Sequence, residues 1–380
     1  MDQRTQRVPG VHREVLREGE DLLFRTGVPA FLGYAAEAGP PLALTRWPQF
    51  VARVRGAPDD GQLAPAVRGF FAAGGRRCVV LTAPRARGPA GLLAALASLD
   101  DQTDVDLVCA PDLLAAPGDA LVAAQVELVR RTGGARRCFA VLDAPPGRAA
   151  ALAHAKALRA ALARTDPALL RDAALYFPHV RAAGDRGFIP PSGHLAGTIS
   201  ALDGREGVQR APAGVELAGV CDLGDAIDDA AQLELDAAGV NCIRAFRGRG
   251  LRIWGARTLS DEPQWRALSV RRTLQTIARW LELRLADFAF EPSAPLVWNR
   301  LAREVAGYCE RLHAAGALQG RIPAEAYYVK CDAETNPPEV RAAGALVAEI
   351  GVAPLVPQEF IALRLIQRGE GASLSDAAPG

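Results

Sequence analysis

Two side chains that could act together in nucleophilic catalysis, Ser192 and His194, lie two residues apart. A serine hydrolase needs a hydroxyl, a histidine base and an orienting carboxylate that the fold brings together. The sequence contains no Gly-x-Ser-x-Gly elbow, and two residues at this spacing do not form a nucleophile–base pair by adjacency. Because Ser192 follows two prolines, it is also typical of a helix cap. A serine hydrolase using Ser192 and His194 is therefore a less favoured alternative.

Phosphate-binding segments are recognised by glycines at fixed spacing. A P-loop requires Gly-x-x-x-x-Gly-Lys followed by Ser or Thr, and neither of the two lysines, Lys156 and Lys330, follows that pattern. Gly248 and Gly250 lie between two strand-like runs, and no helix follows them that could bind a pyrophosphate at its N-terminus. This spacing predicts a tight hairpin turn and no nucleotide cofactor.

Metal sites and disulfides leave characteristic spacings of histidine and cysteine. The five histidines show no His-x-x-x-His pair, and the seven cysteines show no Cys-x-x-Cys pair. Most cysteines lie in apolar runs, which predicts buried free thiols in a reducing compartment. Adjacent carboxylates at helix starts or in loops are expected to face water: Asp59 with Asp60, Asp100 with Asp101, and Asp228 with Asp229. The residue chemistry predicts no catalytic, cofactor or metal site, and a protein that is not an enzyme.

The composition favours a large folded protein with almost balanced charge. The chain has 380 residues, 49% of them hydrophobic, which is enough for two or three domains with full cores. A formal charge of +1 argues against nucleic acid as a partner, because nucleic-acid binding depends on a cationic surface. No apolar run reaches membrane-spanning length, and the N-terminus has no signal-peptide pattern. We expect a soluble protein made in the cytoplasm, without direct membrane insertion.

Alternating strand and helix patterns predict the first large domain. Predicted strands are apolar runs at residues 27–34, 43–45, 78–82, 105–110, 138–142 and 174–177. Predicted helices lie between them at residues 47–54, 63–73, 90–99, 119–131 and 148–164. Buried strands separated by helices are typical of a mostly parallel sheet covered on both faces. The prediction is an α/β sheet domain with flanking helices.

The second half begins with two strand-like runs around Gly248 and Gly250 and continues through two long helical patterns. A helix at residues 338–346, a strand at 347–352 and a closing β run at 358–366 follow. These patterns predict a C-terminal α+β domain. The predicted division is residues 1–26 for an N-terminal arm, 27–238 for the α/β domain, 239–357 for the C-terminal domain, 358–368 for a C-terminal arm strand, and 369–380 for a disordered tail.

A series of short motifs runs through the chain. Its first half contains Pro-Gly-Val at residues 9–11, Thr-Gly-Val-Pro-Ala-Phe-Leu-Gly at 26–33 and Pro-Pro-Ser-Gly-His-Leu-Ala-Gly at 190–197. The densest group contains Gly-Leu-Arg-Ile-Trp-Gly-Ala-Arg-Thr-Leu at 250–259, Phe-Glu-Pro at 290–292 and Tyr-Val-Lys-Cys-Asp at 328–332. In this order the motifs resemble the tail sheath family of contractile phage tails and contractile injection systems, over residues 8 to about 366. The segment from residue 239 onward resembles the C-terminal sheath domain.

The resemblance implies a structural polymer. Sheath subunits form hexameric rings that stack helically around an inner tube, and contraction drives the tube through a target envelope without nucleotide hydrolysis. The implied partners are further copies of the chain, the inner tube protein, and baseplate and cap or terminator proteins. Assembly would take place in the cytoplasm, as part of a phage tail or a phage tail-like particle that can be released from the cell.

Subunits of this family exchange terminal arms that add strands to their neighbours, which is a form of β-augmentation. The resemblance places the inter-subunit arms at Val8, Pro9, Gly10 and Val11 and at Phe360, Ile361, Leu363 and Leu365. In the C-terminal arm we expect Phe360, Ala362 and the alternate residues to face a core while main-chain groups pair across. The alternative is that both arms are edge strands within one chain.

The family contacts its tube through the C-terminal domain, largely by polar and charged groups. We expect Glu339 and Arg341, on the helix predicted at residues 338–346, to contribute to this contact. The subunit could fill the trunk of the sheath, or it could be a baseplate-proximal or terminator adaptor built on the same fold. The particle could be a phage tail or an injection system.

Overall fold

The computed structural model describes residues 26–99, 102–183, 185, 187–285, 288, 291, 293–355, 361–368 and 371–377. Within these residues the strands are β1 (Pro29–Ala35), β2 (Leu42–Leu44), β3 (Cys78–Pro84), β4 (Leu107–Cys109), β5 (Phe139–Asp143), β6 (Ala173–Phe177), β7 (Val180–Ala182), β8 (Val220–Leu223), β9 (Val240–Phe246), β10 (Gly250–Ile253), β11 (Tyr327–Lys330), β12 (Leu346–Val352), β13 (Ile361–Arg368) and β14 (Gly371–Ala377). The α-helices are α1 (Trp47–Arg53), α2 (Leu63–Ala72), α3 (Gly88–Ala95), α4 (Gly118–Thr132), α5 (Arg148–Thr165), α6 (Ser192–Glu206), α7 (Asp229–Ala237), α8 (Pro263–Arg266), α9 (Leu268–Leu285), α10 (Pro295–Ala314), α11 (Pro323–Ala326) and α12 (Pro338–Ala342).

Parallel pairing dominates the large sheet of the first unit. The described strands follow the order β10-β9-β6-β5-β4-β1-β3-β2, and only the outermost strands, β2 and β10, are antiparallel to their neighbours. Helices α3, α4 and α5 pack on one face, and α2 and α6 pack on the other. Strands β1, β5 and β6 are therefore buried along their whole length. Their largely apolar sequences are typical of doubly covered strands, and the predicted α/β sheet is confirmed.

Strands β9 and β10 form an antiparallel hairpin at one end of this sheet. Gly248 and Gly250 have φ angles of +71° and +73°, which glycine adopts without steric cost, so the predicted turn is confirmed. Strand β9 pairs in parallel with β6, with Val240 opposite Leu175. The hairpin thus extends the large sheet, and the domain boundary predicted at residue 239 is wrong. Its apolar pattern indicated strands, but the partner strand lies more than 60 residues earlier in the chain.

The second unit packs α9 and α10 on an antiparallel sheet of order β11-β12-β13-β14. The rings of Trp280 on α9 and Tyr308 on α10 stack with their centroids 3.8 Å apart. Both side chains belong to one apolar core with the buried residues of β12 and β13. This arrangement confirms the predicted α+β character of the C-terminal unit.

Two predictions about the end of the chain are wrong. The helix predicted at residues 338–346 ends at Ala342, because Gly344 turns the chain with φ of +66° and β12 begins at Leu346. Gly371–Ala377, predicted to be disordered, form β14 and pair with β13. The small and polar residues of this segment do not indicate a strand, since its conformation depends on pairing and not on local propensity.

Helices α2 and α6 pack closely because glycines leave room at their contact. A Cβ atom on Gly193 would lie 2.3 Å from the Ala66 carbonyl oxygen, and one on Gly197 would also meet α2 backbone. On the opposite helix, a Cβ atom on Gly69 would lie 2.5 Å from the His194 ring. The imidazole is enclosed by this contact, and burial lowers the pKa of His194 to about 4. The motif at residues 190–197 therefore serves helix packing.

A buried arginine joins the two units. Arg272, near the start of α9, places Nη2 2.7 Å from Asp106 Oδ2 and 2.5 Å from Asp203 Oδ2, and all three side chains are almost fully buried. Asp106 directly precedes β4 and Asp203 lies on α6, so one guanidinium ties α9 to the sheet and to its covering helix. Beside it, Arg271 Nε lies 2.6 Å from Asp172 Oδ1. Burial alone would lower the pKa of Arg272, but Asp203 and Asp106 raise it overall, and the guanidinium stays charged.

Replacing Arg272 with leucine should lower the free energy of unfolding by about 3–5 kcal/mol, because Asp106 and Asp203 would stay buried without their cation. Urea denaturation of the monomer measures this change. The matched control is Arg303→Leu on the exposed face of α10, which should alter stability by no more than about 0.5 kcal/mol. Equal stability of the two variants would contradict the role assigned to Arg272.

The buried imidazole of His194 should make stability depend on pH. Its pKa in the folded state, about 4, lies below the ordinary value of 6.5. The folded state therefore binds fewer protons, and His194 should cost the protein up to roughly 3 kcal/mol as the pH falls from 6.5 to 4. The pKa of Asp143, raised by burial to about 7, contributes the opposite slope.

Because Asp143 is common to all variants, the informative quantity is the difference between stability curves. His194→Leu should remove the loss of stability between pH 6.5 and 4. Denaturant midpoints measured across this range test the expectation. Identical slopes for wild type and His194→Leu would show that His194 is not the group responsible.

Candidate functional site

The predicted C-terminal arm residues Ile361, Leu363 and Leu365 lie on β13. All three are buried in the core of the second unit, whereas Arg364 between them is exposed. The buried face is thus the opposite of the one expected, since Ala362 lies on the face that includes Arg364. In the single chain, β13 pairs with β12 along seven positions. Its exchange with another subunit stays a prediction.

The other arm residues, Val8, Pro9, Gly10, Val11 and Phe360, lie outside the described residues. Their role as inter-subunit arms also stays a prediction.

The predicted tube-contact residues Glu339 and Arg341 lie exposed on the short helix α12. The guanidinium carbon of Arg341 lies 6.0 Å from the centroid of the Trp298 ring. The buried Asn336 holds the chain before this helix against β12: its Nδ2 donates to Val347 O at 2.8 Å, and its Oδ1 accepts from Val347 N at 2.7 Å. These contacts present the two charges on a fixed surface. Their contact with a tube stays a prediction.

The pair considered for nucleophilic catalysis lies inside the first unit. Ser192 is the first residue of α6, and its backbone N–H donates to Asp143 Oδ1 at 2.9 Å. The carboxylate of Asp143 therefore caps the helix, and not the Ser192 hydroxyl as expected. Ser192 and His194 are 0% and 1% exposed. A substrate in solvent would not reach either group unless α2 and α6 separated.

A cavity of about 360 Å³ lies at the carboxyl end of the parallel strands, where doubly wound sheets commonly bind ligands. Its charged groups are engaged by the chain itself. The buried Asp112 carboxylate accepts the backbone N–H groups of Tyr34, at 2.7 Å, and of Gln62. Arg85 Nη1 lies 2.6 Å from Asp60 Oδ1. These contacts fix the loop between α1 and α2 to the end of β1 and to the segments that follow β3 and β4, and they favour a structural role for this edge.

The arginine-rich hairpin β9–β10 combines internal contacts with an exposed tip. Arg244 pairs with Asp229 at 2.8 Å and lies 5.5 Å from the centroid of the Phe246 ring. The rings of Phe246 and Trp254 are 4.4 Å apart. Arg249, at the turn, is exposed. The hairpin therefore has an ordered aromatic base and presents positive charge at its end.

Sequence reasoning missed a set of exposed apolar side chains on the second unit. Leu283, Leu296, Ile322 and Leu355 are 48%, 80%, 54% and 46% exposed. Exposed apolar side chains mark a contact with other chains only where they form a contiguous patch. The sequence could have indicated one of these residues. Leu296 follows Pro295 in the first turn of α10, at a position outside the apolar stripe of that helix.

The residues that the structure describes contain neither a candidate metal site nor a helix that could span a membrane. Among them, no three His, Cys, Asp or Glu side chains are grouped so as to hold a metal ion. In the same part of the chain, no helix is both long and apolar enough to cross a bilayer. All seven cysteines are free thiols, and only Cys221 is exposed. Burial raises the pKa of Cys138, for example, to about 12, so the prediction of buried free thiols is confirmed for most of them.

Family comparisons cover most of the chain. Residues 85–259 match the phage tail sheath protein central domain, and residues 260–368 match the phage tail sheath C-terminal domain. The junction of the two matches lies after the β9–β10 hairpin and before α9, in agreement with the strand pairing. A comparison with curated protein sequences finds no match.

Solved structures share the fold. A chain from the contracted helical sheath of the anti-feeding prophage is 28% identical, covers 94% of this chain and 98% of its own length, and gives a TM-score of 0.72. A chain from the contracted sheath complex of the extracellular contractile injection system PVC is 26% identical. The match covers 94% of this chain and 96% of that chain, with a TM-score of 0.72. The sheath tail protein from Desulfitobacterium hafniense is 12% identical. The match covers 94% of this chain and 99% of that chain, with a TM-score of 0.63. The chain therefore belongs to the phage tail sheath protein family, as a structural subunit of a contractile sheath.

Proposed function

We propose that the chain is a trunk sheath subunit of a contractile injection system. The observation that carries this proposal is the similarity of 94% of the chain to sheath chains of the anti-feeding prophage and PVC particles, at 28% and 26% identity. Copies of the chain would form hexameric rings stacked around an inner tube. Contraction of the stack would drive the tube through a target envelope.

Such a device needs subunits that transmit force without deforming. The buried contacts of Arg272 with Asp106 and Asp203 support this property, because they tie α9 of the second unit to two elements of the first. The close packing of α2 on α6 stiffens the first unit in the same way. Free energy for contraction would then reside in the contacts between subunits, and no nucleotide would be consumed.

A baseplate-proximal position is the second candidate. Chains in two baseplate structures of the anti-feeding prophage are similar to this chain, with 28% identity and a TM-score of 0.72 in one, and 26% and 0.74 in the other. Negative-stain electron microscopy of the purified protein separates the two candidates. A trunk subunit gives long striated tubes, whereas an adaptor gives single rings or short stacks.

Removing residues 1–16 should leave a folded, soluble subunit that no longer forms long sheaths, because the proposed N-terminal arm would be missing. Circular dichroism tests the fold, and electron microscopy tests assembly. Removing only residues 2–7, which precede Val8, is the matched control and should leave assembly intact. Normal sheaths from the chain without residues 1–16 would contradict arm exchange.

Exchanging the charges at Glu339 and Arg341 should impair co-assembly of sheath and tube while the subunit stays folded. Charges at the rim of a contact set registry and salt sensitivity more than affinity. The double variant Glu339→Arg, Arg341→Glu is compared with Arg303→Glu, Glu304→Arg on the exposed face of α10. Co-sedimentation with the tube protein at increasing salt concentration is the measurement. If the α12 variant sediments with tubes as the wild type does, these residues are not the tube contact.

A further inference from the structure

The outer edge of β13 is covered by the last strand of the same chain. Strand β14 pairs with β13 along seven positions, from Ala362 opposite Ala377 to Arg368 opposite Gly371. On its other side, β13 pairs along seven positions with β12. In the single chain, β14 and not β13 therefore forms this edge of the C-terminal sheet, and β11 forms the opposite edge.

The two strands differ in how strongly their sequences favour a sheet. Strand β13 contributes Ile361, Leu363 and Leu365 to the core of the second unit. Strand β14 has the sequence Gly-Ala-Ser-Leu-Ser-Asp-Ala. Glycine, alanine and aspartate are depleted in strands because they gain little from packing on a pleated surface. The sequence of β14 therefore favours a strand less than the sequence of β13 does.

Main-chain hydrogen bonds are available to any extended segment, so another strand can occupy the same edge. Strand β14 has one advantage over a competitor, which is its attachment to β13 through residues 369–370. A connection this short gives an effective concentration of about millimolar or higher. An incoming strand must combine better β-propensity with a high local concentration to take its place.

We propose that Gly371–Ala377 form a self-capping strap, which covers the edge of β13 in the free subunit and is displaced by a strand of a second copy during assembly. This inference rests on the proposed function, since assembly into a sheath is the event that displaces the strap. An uncovered edge strand pairs indiscriminately with other chains. A weak strap protects the free subunit from such pairing and still yields the edge to the correct partner.

The strap can be locked or removed in matched variants. Arg364 and Ser375 are directly opposite each other in the strand register. Arg364→Cys combined with Ser375→Cys should therefore form a disulfide that holds β14 on β13. The exposed Cys221 is replaced by serine in every variant. Arg364→Cys alone cannot form the bond and is the control, and a chain that ends at Arg368 lacks the strap.

Assembly of each variant is followed by light scattering and electron microscopy, with and without reductant. The chain ending at Arg368 should assemble at about tenfold lower concentration than the wild type, which corresponds to about 1.4 kcal/mol. The oxidised double-cysteine variant should stay monomeric until reductant is added. The Arg364→Cys control should assemble under both conditions. Circular dichroism establishes that each variant is folded.

Hydrogen exchange on assembled wild-type particles is an independent measurement. The amides of Gly371–Ala377 should exchange rapidly after assembly, while those of β13 stay protected by the partner strand. Protected Gly371–Ala377 in the particles, or assembly of the oxidised variant with its disulfide intact, would overturn the strap and leave the sheath assignment in place. Failure of every variant to associate would instead contradict the trunk-subunit proposal, and the strap with it.

Discussion

The ion pairs of Arg272 with Asp106 and Asp203 are the constraint on which the arrangement of the two units depends. Charged side chains removed from water are tolerated only if they are paired with opposite charges in good geometry. The three residues come from α9, from the start of β4 and from α6, so this geometry exists only when the second unit is seated on the first. The interaction thus favours one relative placement over many apolar alternatives. A polymer built from repeated contacts needs this uniqueness, because small differences between subunits would accumulate along the sheath.

Local features of the fold were predictable from the sequence where one segment carries all the information. Continuous apolar runs separated by helical patterns indicated the parallel sheet, and Gly248 and Gly250 indicated the hairpin turn. The buried partner of Arg272, Asp106, lies 166 residues away, and no local pattern connects the two. The boundary at residue 239 was wrong for the same reason, since β9 pairs with β6, a strand that lies far from it in the sequence. The same reason applies to β14, whose residues favour a strand only beside β13.

The candidate site was predictable in kind but not in detail. The order of the motifs was sufficient to identify a sheath subunit, and the family matches and solved structures agree with it. The face of β13 that enters the core was assigned incorrectly, because apolar residues lie at both alternating sets of positions. Ile361, Leu363 and Leu365 belong to one set, and Phe360 and Ala362 belong to the other. A shift of one residue exchanges the two faces of a strand. The motif containing Ser192 and His194 shows the opposite situation, since chemically active residue types there serve the contact between two helices.

The chain has seven cysteines, and the thiol of one of them, Cys221, is accessible to reagents in solution. Six cysteines are buried, several with a pKa raised far above the range in which a thiolate forms at neutral pH, whereas Cys221 on β8 is exposed. Thiol-reactive dyes require the thiolate and access to it. A maleimide fluorophore should therefore attach at one position per subunit without mutagenesis. Energy transfer between labelled neighbours would then report the distance between adjacent first units while a particle changes length.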